Sequence, residues 1–123
     1  DALANNPRLR RRKQVAQLVS DGLIELQNLA SAGKGDEFFA TVFRLMQEQI
    51  GERLDLPATA ITEAIVDEKL RGRGLSESAT DVLHELFQHC NQARYAPEQS
   101  SQRLEAVIPK LKMALTELQE VKA

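Results

Sequence analysis

His84, His89 and Cys90 are the only side chains of soft metal-ligand type in this 123-residue chain. A zinc site needs four ligands converging at about 2.0–2.3 Å. His84 and His89 stand roughly 140° apart around a helix, so one ion cannot take both without distortion. Cys90 lies on an apolar stripe with Ala79, Val82, Leu83, Leu86, Phe87 and Ala93. The residues read as a small core cysteine and two surface or boundary histidines. Neither a metal nor a cofactor is expected.

Paired carboxylates are the next candidates. Glu48 and Glu52, and likewise Glu63 and Asp67, have the i, i+4 spacing that puts both on one helix face. Acid–base chemistry requires a cleft that drives two carboxyl pKa values apart, and the surrounding residues announce none. Both pairs read as solvated helix faces. Gly33-Lys34-Gly35 and Gly72-Arg73-Gly74 are too short for a phosphate loop, which needs the full Gly-x-x-x-x-Gly-Lys-Ser/Thr arrangement. They read as helix stops. No catalytic residue is assigned.

Two features stand above this background. Arg8, Arg10, Arg11, Arg12 and Lys13 place five of the sixteen basic residues within six positions. With Asp1, residues 1–13 carry +4, so the net charge of −2 leaves −6 on the other 110 residues. Three readings of this run stay open: a nucleic-acid arm, a plain solvated helix start, and a juxtamembrane cluster at the cytosolic end of a span. No aromatics interleave and the body is acidic, which disfavours nucleic acid. Cations at a helix N-terminus oppose the macrodipole, which disfavours the plain start. The juxtamembrane reading fits best. The second feature is Arg94-Tyr95-Ala96-Pro97. It reads as a structural corner: Arg94 near a helix C-terminus, Tyr95 covering the bundle, and Pro97 stopping the helix.

The elements that position these residues are helical throughout. Hydrophobic residues make up 42% and charged residues 28% of the chain, in keeping with one folded domain. No period-2 apolar run marks a strand. The spacing predicts a compact all-α bundle of about five helices over residues 7–123, led by a basic arm over 1–13. Helix one runs from Pro7 to about Ala32, capped by Asn6 and ended by Gly33 and Gly35. Asp36 caps helix two, which reaches about Leu54 and is the most buried. Thr62 caps a short third helix to about Arg71. Ser76 or Ser78 caps the fourth, which reaches Arg94. The fifth begins near Ser100 or Ser101 and runs almost to the end, with Pro109 expected to kink or divide it. No apolar run approaches the roughly 20 residues of a membrane span. The lone cysteine suits a reducing compartment. A start at Asp1 rather than Met suggests a piece of a longer protein.

Several pieces occur together in an order that resembles one family. They are Arg8-Leu-Arg-Arg-Arg-Lys13 before a long helix, Gly35-Asp-Glu-Phe-Phe-Ala40 at the entry to helix two, and Ile50-Gly-Glu-Arg-Leu-Asp-Leu-Pro57. Ile61-Thr-Glu and Leu70-Arg-Gly-Arg-Gly74 follow, then Cys90-Asn-Gln-Ala-Arg-Tyr-Ala-Pro97. With these pieces the chain resembles the C-terminal cytosolic region of BatD proteins, bacterial aerotolerance-operon membrane proteins. The resemblance covers nearly the whole chain, and Pro109 departs from it. It implies a parent with an exported β-rich part, one membrane span and this domain inside the cell. It implies MoxR-type AAA+ ATPases and von Willebrand A-domain membrane proteins as partners, and a role in envelope or oxidative stress. It implies no enzyme activity. From the residues alone, an autonomous regulatory or nucleic-acid-binding helical domain remains the alternative.

Overall fold

A computed structural model describes residues 6–95 and 103–121, with the Tyr95 side chain left out. The described residues form α1 (Pro7–Ser31), α2 (Gly35–Leu54), α3 (Glu63–Ile65), α4 (Glu77–Tyr95) and α5 (Leu104–Gln119), with no strand among them. The all-α bundle expected from the sequence is therefore the fold.

The ends of α1 follow local chemistry. Asn6 caps it, its Oδ1 accepting the Leu9 N–H at 3.1 Å, and Pro7 takes the first helical position. At the other end Gly33 adopts φ +69, a left-handed conformation that costs glycine little. Its N–H donates to the Ala30 carbonyl, and the Lys34 N–H donates to the Leu29 carbonyl. This pair of bonds is a Schellman closure. The turn is so tight that α2 starts at once. Lys34 is its N-cap residue, and its carbonyl accepts the Phe38 N–H at 2.9 Å. Asp36, expected as that cap, instead sits with Glu37 in the first turn, where negative charge suits the macrodipole.

α2 is the central element and packs against α1, α4 and α5. Eleven of its twenty residues are buried, which makes it the most enclosed helix, as its wide apolar stripe predicted. Phe38, Val42, Met46 and Ile50 are fully enclosed, together with Leu26 from α1, Leu83 and Phe87 from α4, and Leu111 from α5. Each such side chain contributes about 1.5–3 kcal/mol.

The third helix departs from expectation. α3 is a single turn that widens into a π turn at Val66–Leu70 and then tightens into a 3-10 turn at Arg71–Arg73. The Arg71 N–H reaches back five residues to the Val66 carbonyl. Thr62 precedes it without making a side-chain cap bond. Ile65, Val66 and Leu70 are buried as expected, so burial of these three wins over regular helix geometry.

Of the two candidate caps for α4, Ser76 is the one used: its Oγ accepts the Ala79 N–H at 3.1 Å. α5 starts at Leu104, later than expected, and Ser100 and Ser101 lie outside the described residues. Pro109 does not divide α5. Its ring removes one bond to the Glu105 carbonyl. Both residues lie on the exposed face, where the freed carbonyl is open to solvent.

Candidate functional site

The basic run occupies the first two turns of α1, and its five cations meet different fates. α1 and α2 are consecutive and antiparallel, so the start of α1 lies beside the end of α2. The Arg11 guanidinium is half-buried and donates to the Leu56 carbonyl at 2.7 Å. Arg8 pairs with Asp55 at 3.5 Å in an exposed ion pair. Asp55 is the α2 C-cap, in the left-handed region at φ 58. The close approach is possible because residue 51 is glycine. A Cβ there would stand 2.8 Å from the Leu56 carbonyl oxygen and 3.0 Å from the Arg11 guanidinium. Arg10 is exposed and has an interaction within the domain. Arg12 and Lys13 are exposed and make no ion pair among the described residues.

The second sequence feature lies at the other end of α2. Arg94, near the end of α4, sets its guanidinium 5.8 Å from the centre of the Phe43 ring. Phe43 in turn packs edge-on against Phe87, with centroids 5.9 Å apart. Cys90 donates its thiol hydrogen to the Phe39 carbonyl at 3.5 Å. A shallow groove of about 300 Å³ runs here, lined by Asp36, Phe39, Ala40, Phe43, Ala93 and Arg94. The Tyr95 side chain and Pro97 lie outside the described residues. Burial pushes the Cys90 thiol up to about 12, against a small opposing effect of Arg94. A neutral, enclosed thiol is not a nucleophile at neutral pH.

Four of the six sequence pieces singled out above therefore meet in two pairs. The basic run touches the Ile50–Pro57 piece, and the helix-two entry touches the Cys90–Arg94 piece. Both junctions tie helices to one another.

Two clusters were invisible from spacing. Glu52, expected on a solvated face, is buried together with Gln49 and Arg53. The Arg53 Nε donates to Glu52 Oε1 at 2.9 Å and Nη2 donates to Oε2 at 2.5 Å. Arg53 Nη1 also donates to the Val121 carbonyl at 3.3 Å, and Gln49 Nε2 donates to Glu52 Oε1 at 3.2 Å. The guanidinium fork thus gives both Glu52 carboxyl oxygens a charge-assisted partner inside the bundle. Glu48, one turn before Glu52 on the same helix, is only half-buried and has no hydrogen bond to this cluster among the described residues.

The other cluster forms around His84. Its Nδ1 lies 2.7 Å from Glu63 Oε2 and its Nε2 lies 3.1 Å from Asp67 Oδ1. The Glu63 carboxylate, seconded by Asp67, raises the His84 pKa above the ordinary 6.5, with burial opposing. Further along α4, Lys110 and His89 both contact Glu85, and the Lys110 bond holds the Glu85 carboxyl below its usual range. Among the described residues no group of three or more His, Cys, Asp or Glu side chains is arranged to hold a metal ion. No helix among them is long and apolar enough to cross a membrane.

No family model, curated protein or solved structure matches the chain.

Proposed function

We propose that this chain is a non-enzymatic protein-interaction domain on the cytosolic side of a bacterial inner membrane. In this reading it belongs to a single-span membrane protein of the BatD aerotolerance type. It works with a MoxR-type AAA+ ATPase and von Willebrand A-domain membrane proteins, and it carries no cofactor. The observation behind it is the charge asymmetry: outward-facing Arg12 and Lys13 at the head of α1, on a chain whose residues 14–123 carry −6.

Each cation near an anionic leaflet contributes on the order of 1 kcal/mol. Arg12 and Lys13 together give about 2 kcal/mol, enough to orient the domain but too little to anchor it. The acidic body is repelled from the same leaflet, which turns the far end of the bundle toward protein partners. The domain should co-sediment weakly with phosphatidylcholine vesicles containing phosphatidylserine at low salt, and lose that binding at high salt. Arg12→Gln with Lys13→Gln should remove it without changing thermal stability. Stronger binding to duplex DNA than to the vesicles at equal salt would replace this reading with a helical regulatory or nucleic-acid-binding domain. The partner half is tested by titrating the domain with the MoxR-type ATPase and the A-domain protein encoded beside it. Failure to bind either saturably refutes it.

A further inference from the structure

The least regular part of the fold is also the part tied down by a histidine. Residues 63–73 pass from one α turn to a π turn to a 3-10 turn, a combination that often marks a place where a helix is built to move. Their apolar contact with the core is narrow, through Ile65, Val66 and Leu70. Their polar contact with α4 centres on His84. Its two ring nitrogens face two different carboxylates, Glu63 and Asp67, at hydrogen-bond distance. A neutral imidazole has one N–H and one lone pair. It can satisfy one of these carboxylates and must present a lone pair to the other. Only the imidazolium donates to both.

We propose that His84 is a proton-operated tie, which holds the 63–73 segment on α4 when doubly protonated and releases Asp67 when neutral. Asp67 is the carboxylate released for two reasons. The Glu63 bond is the shorter and is reinforced by Gln88 Nε2 at 3.4 Å. Asp67 has a second partner waiting: Arg71 Nη2 lies 3.3 Å from its Oδ1. Arg71 is itself shared with Glu77 at 3.9 Å, so the charge freed at Asp67 is taken up within the same patch. The charged and titratable groups that bear on His84 are thus Glu63, Asp67 and, through Asp67, Arg71 and Glu77. On its own helix, Gln88 acts through Glu63. The buried Val66 and Leu70 keep the segment from leaving the core outright. The tie therefore controls local opening of residues 63–73 and leaves the bundle folded.

The sign follows from linkage. The closed state has the higher His84 pKa, so the tie is fully present below the open-state value near 6.5 and is lost as pH rises through the closed-state value. A difference of one pH unit between the two corresponds to about tenfold in the opening constant. Amide hydrogen exchange of the domain, corrected for the intrinsic pH dependence of exchange, reads it directly. Opening of residues 63–73 should increase at least about threefold between roughly pH 5.5 and 8.5, while α1 and α2 stay unchanged. His84→Gln should leave opening high and flat with pH, and His89→Gln should preserve the wild-type response. If His84→Gln does not fold, Glu63→Gln with Asp67→Asn removes the two carboxylate charges that favour the imidazolium and should also flatten the profile. A wild-type segment whose opening ignores pH while the His84 ring titrates, or a response that survives either variant, overturns the proposal.

Discussion

Arg53→Met is the sharpest test of how this bundle is held together. The pair it breaks is enclosed, with the Arg53 and Glu52 side chains only 8% and 4% exposed. Arginine and methionine have nearly equal helix propensity, so backbone preference does not enter. The substitution removes the fork from Glu52, which keeps a single bond from Gln49 at 3.2 Å. It also removes the donor to the Val121 carbonyl, just after α5. Breaking a buried pair from one side costs about 3–5 kcal/mol, because the surviving charge is left uncompensated. A domain of this size has about 5–15 kcal/mol in all, so the loss is a large share of the total. The pair as a whole is worth much less. Replacing both members, as Glu52→Leu with Arg53→Met, removes the charge together with its partner and should recover most of the loss. Recovery stays incomplete because the Val121 carbonyl still lacks its donor, a deficit of about 1–3 kcal/mol. Urea unfolding of the wild type, both single variants and the double variant measures this. The midpoints should shift and the slopes should stay constant. A loss below about 1 kcal/mol for Arg53→Met, or a double variant as unstable as the sum of the singles, would refute the reasoning.

Three further outcomes follow from the same geometry. Gly51→Ala gains about 1 kcal/mol of helix propensity, yet its Cβ would press on the Leu56 carbonyl at 2.8 Å; a net loss of about 1–2 kcal/mol in thermal or urea unfolding is expected, and a stabilised variant would contradict it. Arg11→Gln should cost about 1–2 kcal/mol by freeing the Leu56 carbonyl, whereas Arg12→Gln, on the exposed side of the same helix, should stay within about 0.5 kcal/mol; equal effects would show that the basic run is not divided as described. Cys90, buried and with its thiol pushed up to about 12, should react with a thiol reagent at pH 8 only as fast as the protein opens, and rapidly in urea; fast labelling of the folded domain would place it elsewhere.

The apolar stripes were legible because helix burial is periodic in one dimension. Val15, Val19 and Leu26 in α1, or Leu111, Leu115 and Leu118 in α5, identify their face without knowledge of any other helix. Caps were legible where one side chain decides, as with Asn6 and Ser76. What spacing could not show depends on partners far along the chain. His84 meets carboxylates 21 and 17 residues away, which no local pattern reveals. Glu52 and Arg53 look like any charged pair on an exposed helix face. They are enclosed with residues that follow α5, Arg53 donating to the Val121 carbonyl 68 residues further on.

The basic run shows the same limit acting on a functional argument. Taken alone, cations at the start of α1 oppose that helix's dipole, and this is what favoured a membrane over a plain helix start. The fold supplies a dipole the sequence could not. The C-terminal end of α2, negative in its own macrodipole, lies beside them, and Arg11 donates across 45 residues to the carbonyl of Leu56. Part of the cluster is thus accounted for by tertiary electrostatics. Arg8 and Arg11 answer the end of α2, and Gly51 leaves them room. The charge that internal contacts leave over is at Arg12 and Lys13, and any attraction to an anionic surface must come chiefly from them. Removing these two should therefore separate the roles: vesicle binding goes while the unfolding midpoint holds. Removing Arg11 should do the reverse, lowering the midpoint and leaving most of the binding. A domain in which both pairs of effects move together would tie the cluster to stability alone.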